Sequence, residues 1–279
     1  MKKIILSIFA FALIMSNVNA ATTAKWSAEG RVEPVGKIVV QKSGLPAKLT
    51  FKTVEGAVNN SETSTTNQVQ VSKDDLKYAG NDNEVAAVLS TELGQIINGK
   101  SGKDKFRAAA KAALAEKLSQ ENLINATANS EFIATKATLN DLKEADMTSV
   151  DLMVNAGYNP LALVVVITKH PGSNFETIMG IPANSERAMS AFDYITYNYP
   201  EKVKAGYSCQ EYRNFLAYAD PIVQKRNKSK WATRKYAKLQ EKIKKNRAKS
   251  LAQYKTSGGL SGWDATYAIL HELSTTENK

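Results

Sequence analysis

The stretch Asn83–Gly99 reads NEVAAVLSTELGQIING, and the rest of the chain is read outward from it. Val85, Val88, Leu89, Leu93, Ile96 and Ile97 recur at the spacing of one helix face, so the segment Asn83 to Asn98 is predicted to be a helix that buries that face. Gly99 stands just past its end, where a residue without a Cβ enters a left-handed cap at no steric cost. Thr91 and Gln95 lie one turn apart on this helix, with Glu92 between them.

Histidine at both Thr91 and Gln95 would turn the centre of the stretch into H-E-L-G-H. In that pattern two imidazoles on one helix face bind Zn, and the glutamate serves as general base. Here Glu92 is retained and neutral side chains fill both ligand positions. A catalytic Zn takes about three protein ligands and keeps one position open. Threonine offers it nothing useful, and a glutamine carbonyl oxygen is a weak ligand. Without the metal there is no activated water and no Lewis acid for a scissile carbonyl. The plain reading of Glu92 is a carboxylate hydrogen-bonded to Thr91, Gln95 or backbone in a residual cleft.

On the N-terminal side, Leu49–Val54 and Gln68–Ser72 alternate apolar and polar residues with β-branched enrichment and read as strands. Asn59–Asn67 between them is polar and turn-rich. On the C-terminal side the chain reads as helical. Phe106–Leu123 is alanine-rich, and Glu131–Asn155 places Leu139, Leu142, Ala145, Asp146 and Met153 within one broad face. Gly157 and Pro160 separate that helix from Leu161–Thr168, and Ser185–Tyr197 follows with Asn184 and Ser185 as possible caps. Ile222–Tyr254 reads as one long helix, with Trp231, Tyr236, Leu239, Ile243 and Leu251 as a narrow apolar stripe, ended by Gly258-Gly259. A short segment, Trp263–Leu273, comes last.

The ends and the charge set the context. Met1-Lys2-Lys3, the apolar run Ile4–Met15 and Val18-Asn19-Ala20 have the form of a cleavable export signal over residues 1–20, so the expected location is periplasmic or secreted. The remaining length suits one medium domain with an appendage. Cys209 is the only cysteine among 279 residues, which excludes an intramolecular disulfide, and it is expected to pack as a small hydrophobe. The net charge of +10 is uneven: residues 222–255 hold thirteen Lys or Arg against one acid, Glu241. Lysine dominates there, which disfavours readout of bases by arginine forks, so no nucleic acid partner is expected. The remaining readings of that helix are a solvated face, contact with an anionic envelope surface and contact with a protein partner.

Several pieces, in order, resemble one family. Val58-Asn59-Asn60 is similar to a Val-x-Asn-Ala-Phe strand, and Asn83–Leu89 to the lead-in of an H-E-x-x-H helix. Glu144-Ala145-Asp146, Asp151-Leu152-Met153 and Ala156-Gly157-Tyr158-Asn159-Pro160 resemble an E-A-D, L-M, A-G-Y-D-P block. Ile181-Pro182 with Ser185-Glu186-Arg187 is similar to a T-H-P and S-E-E-R segment. From residue 36 to about 197 the chain thus resembles the HtpX and CAAX-prenyl-protease family of zinc metallopeptidases (peptidase family M, number forty-eight), in its soluble exported branch. The resemblance implies an α+β, zincin-like domain over residues 21–200, mostly helical with a small sheet; the change of composition at Tyr199-Pro200 sets off a basic helical extension over 201–279. The resemblance also implies zinc as the family's cofactor, and it places the lost ligands at Thr91, Gln95 and Leu142 and the lost active-site histidine at Ile181. Glu92 then marks the general-base position, and Asp146 a position that steadies the ligands from behind. No cofactor is expected in this chain.

Two histidines remain to rebuild a site. His170 precedes Pro171-Gly172 and is expected to cap a helix end or lie at the surface. His271-Glu272-Leu273-Ser274-Thr275 lacks the second histidine. A carboxylate site made of Glu92, Glu144 and Asp146 would suit a harder ion than Zn. The expected function is an exported peptide- or protein-binding, chaperone-like module with a catalytically inactive site. The alternatives are a zinc metalloendopeptidase with an unorthodox site and an envelope-associated structural protein.

Overall fold

The computed structural model describes residues 25–43, 45, 47–56, 58, 60, 66–99 and 123–256, with side chains for all of these except 99, 123–138, 175 and 247–256. The export signal, the alanine-rich segment before Leu123, and the segment Trp263–Leu273 with His271 lie outside the described residues.

The first helix, α1 (Ala28–Lys42), is capped by Ser27, whose Oγ accepts from the Gly30 N–H at 3.2 Å. Val32, Val35 and Val39 turn inward, and Gly36 lies flat against Phe51. A Cβ at Gly36 would come within 2.4 Å of that ring, so only glycine allows this approach. The two strands, β1 (Thr50–Val54) and β2 (Gln68–Ser72), pair in parallel, with Phe51 opposite Val69. Val69 and Val71 are fully buried. Ser72 caps the short α2 (Lys73–Leu76).

The central helix is α3 (Asp82–Gly99), close to the predicted span, and it packs on α4 (Leu123–Asn155), on α1 and on α5 (Leu161–Lys169). Gly94 makes the α3–α4 contact possible. A Cβ there would sit 2.5 Å from the Ala145 carbonyl oxygen and 2.6 Å from the Ser149 Oγ. The same Ser149 Oγ donates within 2.8 Å of both Ser90 O and Ala145 O, so the two backbones meet around a satisfied hydroxyl.

Helix α5 is buried all round from Leu161 to Ile167, as an apolar helix at the centre of a domain must be. Beyond it come α6 (Asn174–Met179), α7 (Ser185–Asn198), α8 (Pro200–Ala205), α9 (Gln210–Lys228) and α10 (Lys230–Thr256). The fold is α+β, mostly helical with one small parallel sheet. No helix among the described residues is long and apolar enough to cross a membrane.

Two expectations change. The single helix over Ile222–Tyr254 is two helices, because Ser229 is extended and its Oγ caps α10 by accepting from the Ala232 N–H. The apolar stripe on it divides: Tyr236 and Ile243 turn toward the body, while Trp231 is 71% and Leu239 54% exposed. Cys209 packs against the core as expected, but its Sγ also caps α9, accepting from the Tyr212 N–H at 3.3 Å. The core also continues past residue 200, since Tyr212, Phe215 and Ala219 of α9 join the same buried cluster as α3 and α5.

Candidate functional site

A cleft of ≈ 210 Å³ opens over the middle of α3, between α2, the end of α5 and the start of α7. Thr91, Glu92 and Gln95 line it from α3, Asp75 from α2, Val166, Ile167 and His170 from α5 and its C-cap, and Arg187 from α7. The sequence motif and the cleft therefore coincide.

Glu92 is only 8% exposed. Its partner is neither Thr91 nor Gln95 but Asn60, whose Nδ2 donates to Oε2 at 3.0 Å. Thr91 Oγ1 donates to the Ala87 carbonyl at 2.9 Å, and Gln95 faces solvent. Asn60 is itself fixed by Gln70 of β2: its Oδ1 accepts from the Gln70 N–H at 2.8 Å and its Nδ2 donates to Gln70 O at 3.1 Å. In a parallel ladder alternate residues turn their backbone groups away from the neighbouring strand, and those of Gln70 turn away from β1 to this side-chain amide. One carboxamide thus covers the outer edge of β2 and holds the carboxylate of α3.

Burial pushes the Glu92 carboxyl up to about 7, with Asp75 adding repulsion and the Asn60 hydrogen bond and Arg187 opposing. His170 is half-buried, its Nδ1 is 3.8 Å from Asp75 Oδ1, and its ring centroid is 4.4 Å from that of Tyr78. Burial lowers its pKa, against the pull of Asp75. It does cap α5, as expected, but it also reaches the cleft. Asp146, fully buried on α4, takes a bidentate pair of hydrogen bonds from Arg187 at 2.6 and 2.7 Å. Asp146 thus holds Arg187 along the cleft wall.

Two positions marked by the sequence do not come to the cleft. Leu142 is half-buried on α4 and is not among the lining residues. Ile181 lines a different groove with Thr168, Pro182, Glu211, Phe215 and Tyr218. The carboxylate trio also fails to form: Glu144 is exposed, and Asp146 is committed to Arg187. Among the described residues no three His, Cys, Asp or Glu side chains gather as metal donors. The residues present do not fit a zinc ion. The Thr91 hydroxyl is spent on its own helix, Gln95 offers the cleft only a neutral amide, and Leu142 carries no donor.

Sequence reasoning gives no role at the site to Asp75 and Arg187, which line the cleft, or to Asn60, which holds Glu92, and gives His170 only a capping or surface one. Arg187 stands within the quoted Ser185-Glu186-Arg187, and Asn60 ends the quoted Val58-Asn59-Asn60, so both had a signal. Asp75 had none, because a carboxylate in a four-residue helix looks like any first-turn acid.

Chemically, the cleft offers a buried carboxylate that titrates near neutrality, a second carboxylate, an imidazole and an arginine already matched by an acid. A carboxylate perturbed by burial in a cleft is a candidate functional group. No protein-family model matches the chain, and no curated protein and no solved structure matches it.

Proposed function

We propose that this chain is an exported, non-hydrolytic relative of the HtpX-like zinc metallopeptidases, on a zincin-like scaffold, and that the cleft over Glu92 binds a segment of another polypeptide. The observation that carries this reading is the coincidence of the degenerate motif with the cleft: Glu92 opens into it, flanked by Thr91 and Gln95 where ligands would stand. A catalytic glutamate works on a water that a metal has polarised. Glu92 has no such partner set, so the surviving chemistry is recognition. The covered edge of β2 at Gln70 disfavours strand addition at that position, so the side chains of the cleft make the contact.

The test has two parts. Amide signals of Glu92, Gln95 and His170 are expected to shift in an NMR titration with a random pentapeptide pool. Casein incubated with the protein and added zinc is expected to stay intact. Cleavage that zinc restores and a chelator removes overturns the reading, and so does a peptide pool that leaves the cleft signals unmoved.

A second reading, association with an anionic envelope surface, is favoured by one feature of α10. Trp231 stands exposed among Lys235, Lys238 and Lys242 on one side of the helix, while Glu241 is engaged by the Tyr197 hydroxyl. An exposed tryptophan ringed by lysines suits the boundary of an acidic bilayer. Cosedimentation with vesicles containing phosphatidylglycerol, lost at high salt and weakened by Trp231→Ala, supports it; equal recovery with neutral vesicles sinks it.

A further inference from the structure

We infer that the cleft over Glu92 selects a basic side chain, a lysine ammonium or an arginine guanidinium carried by the bound segment. The presentation of that group rests on the peptide-binding reading above; the selection of a cation rests on the cleft itself.

The charge count inside the cleft comes first. Glu92 Oε2 is held by Asn60, and its Oε1 has no partner among the described residues, although the residue is more than nine-tenths buried. A carboxylate largely removed from water is costly to ionise unless a donor or a cation reaches it. Asp75 faces the same cleft from α2. Among the described residues the one basic group within 4 Å of it is His170, at 3.8 Å, and burial favours the neutral form of that imidazole. Arg187 brings a positive charge, but Asp146 answers it in a bidentate pair. Lys143, the nearby cation of α4, is engaged by Glu186 outside the cleft. Among the described residues the cleft therefore presents two carboxylates, Glu92 and Asp75, beside an arginine whose charge Asp146 already matches.

The shape and the apolar lining agree. A volume of ≈ 210 Å³ lies below the roughly 300–1,000 Å³ typical of pockets for drug-sized molecules, and suits one side chain. Val88, Val166 and Ile167 line the cleft beside the carboxylates. Lysine and arginine bury an aliphatic stem against such surface while their charged head reaches polar groups. At the far end Glu92 Oε1 and Asp75 would accept charge-assisted hydrogen bonds, about twice as strong as neutral ones. Thr91 and Gln95 add polar groups without charge. An anionic or wholly apolar side chain would leave both carboxylates unanswered.

The experiment titrates the ¹⁵N-labelled protein with two pentapeptide pools, identical except for a central lysine or arginine in one and norleucine or glutamine in the other. Butylammonium, guanidinium and Mg²⁺ are run as separate small probes. The expected result is that the basic pool shifts the signals of Glu92, Asp75 and His170 with at least about tenfold higher affinity than the neutral pool. Butylammonium or guanidinium should shift the same signals, and both effects should fall in Glu92→Gln and in Asp75→Asn. Equal affinity for the two pools overturns the cation selectivity and leaves the peptide reading standing. Failure of both pools with retained response to butylammonium sinks the peptide reading alone. A response to Mg²⁺ without one to the organic cations makes this an inorganic cation site and overturns the inference. Since Glu92→Gln and Asp75→Asn keep shape and volume, an unchanged dispersed spectrum confirms that each variant is folded.

Discussion

Glu92 should destabilise the protein it sits in, and by an amount that depends on pH. In the unfolded chain its carboxyl titrates near the ordinary 4.5; in the fold, burial lifts it to about 7. Between these values the folded state holds a proton that the unfolded state has released, so stability falls as pH rises through the window. Below pH 4 both states are protonated and nothing is lost. At pH 6 the penalty is about 2 kcal/mol, and above pH 7 it levels off near 3 kcal/mol, at about 1.4 kcal/mol for each tenfold step. Glu92→Gln removes the ionisation while its Oε1 still accepts from Asn60. The variant is therefore expected to match the wild type at pH 4 and to exceed it by about 3 kcal/mol at pH 8, which moves a urea midpoint by roughly 1 M at a slope near 3 kcal/mol/M. Urea unfolding of both proteins at pH 4, 6 and 8 makes the comparison. A Glu92→Gln variant that is less stable than wild type at pH 8, or a difference that does not change with pH, refutes the reasoning. A gain would also mean that the native residue is retained against stability, as functional groups often are.

Three further outcomes follow from the packing around the cleft. Gly94→Ala drives a methyl into the Ala145 carbonyl and Ser149 Oγ, and is expected to lower stability by about 1–3 kcal/mol in thermal unfolding, although alanine is the better helix former. Arg187→Met leaves Asp146 buried without its partner and should cost about 3–5 kcal/mol at neutral pH, with part of the loss recovered in Arg187→Met combined with Asp146→Leu. Asn60→Ala frees the Gln70 backbone groups and Glu92 Oε2 together, so hydrogen exchange at Gln70 should speed up and stability should fall by about 1–3 kcal/mol.

The helical skeleton was legible because its signals are local. Val85 to Ile97 repeats at helix spacing, Gly157 and Pro160 punctuate, and the two β-branched runs alternate as strands do. The break at Ser229 was harder to see. A serine between two lysine-rich stretches carries the same polar signal as its neighbours, and only its extended backbone makes it a cap. The division of Trp231 from Tyr236 was hidden for a similar reason: five positions on a helix separate two residues by more than a third of a turn, so a stripe of loosely spaced aromatics covers two faces. For the cleft, Glu92, Thr91 and Gln95 could be placed on one helix from spacing alone. The hold of Asn60 on Glu92 spans thirty-two positions, and the approach of Asp75, His170 and Arg187 depends on how four elements meet. Such convergence has no period to read. Glycine at position 94 belongs to the quoted motif, yet its reason is the close contact with α4.

Helix α5 has a consequence for the life of the unfolded chain. Its sequence Leu163–Thr168, LVVVIT, is β-branched, uncharged and free of proline and glycine, the composition from which cross-β fibrils are assembled. In the fold it is wound into a helix and sealed on every side, so its N–H groups should open to solvent only when the whole molecule unfolds. Only its C-terminal end, Val166 and Ile167 with the C-cap His170, reaches the cleft. At high protein concentration and without denaturant, release of α5 would therefore favour aggregation over refolding.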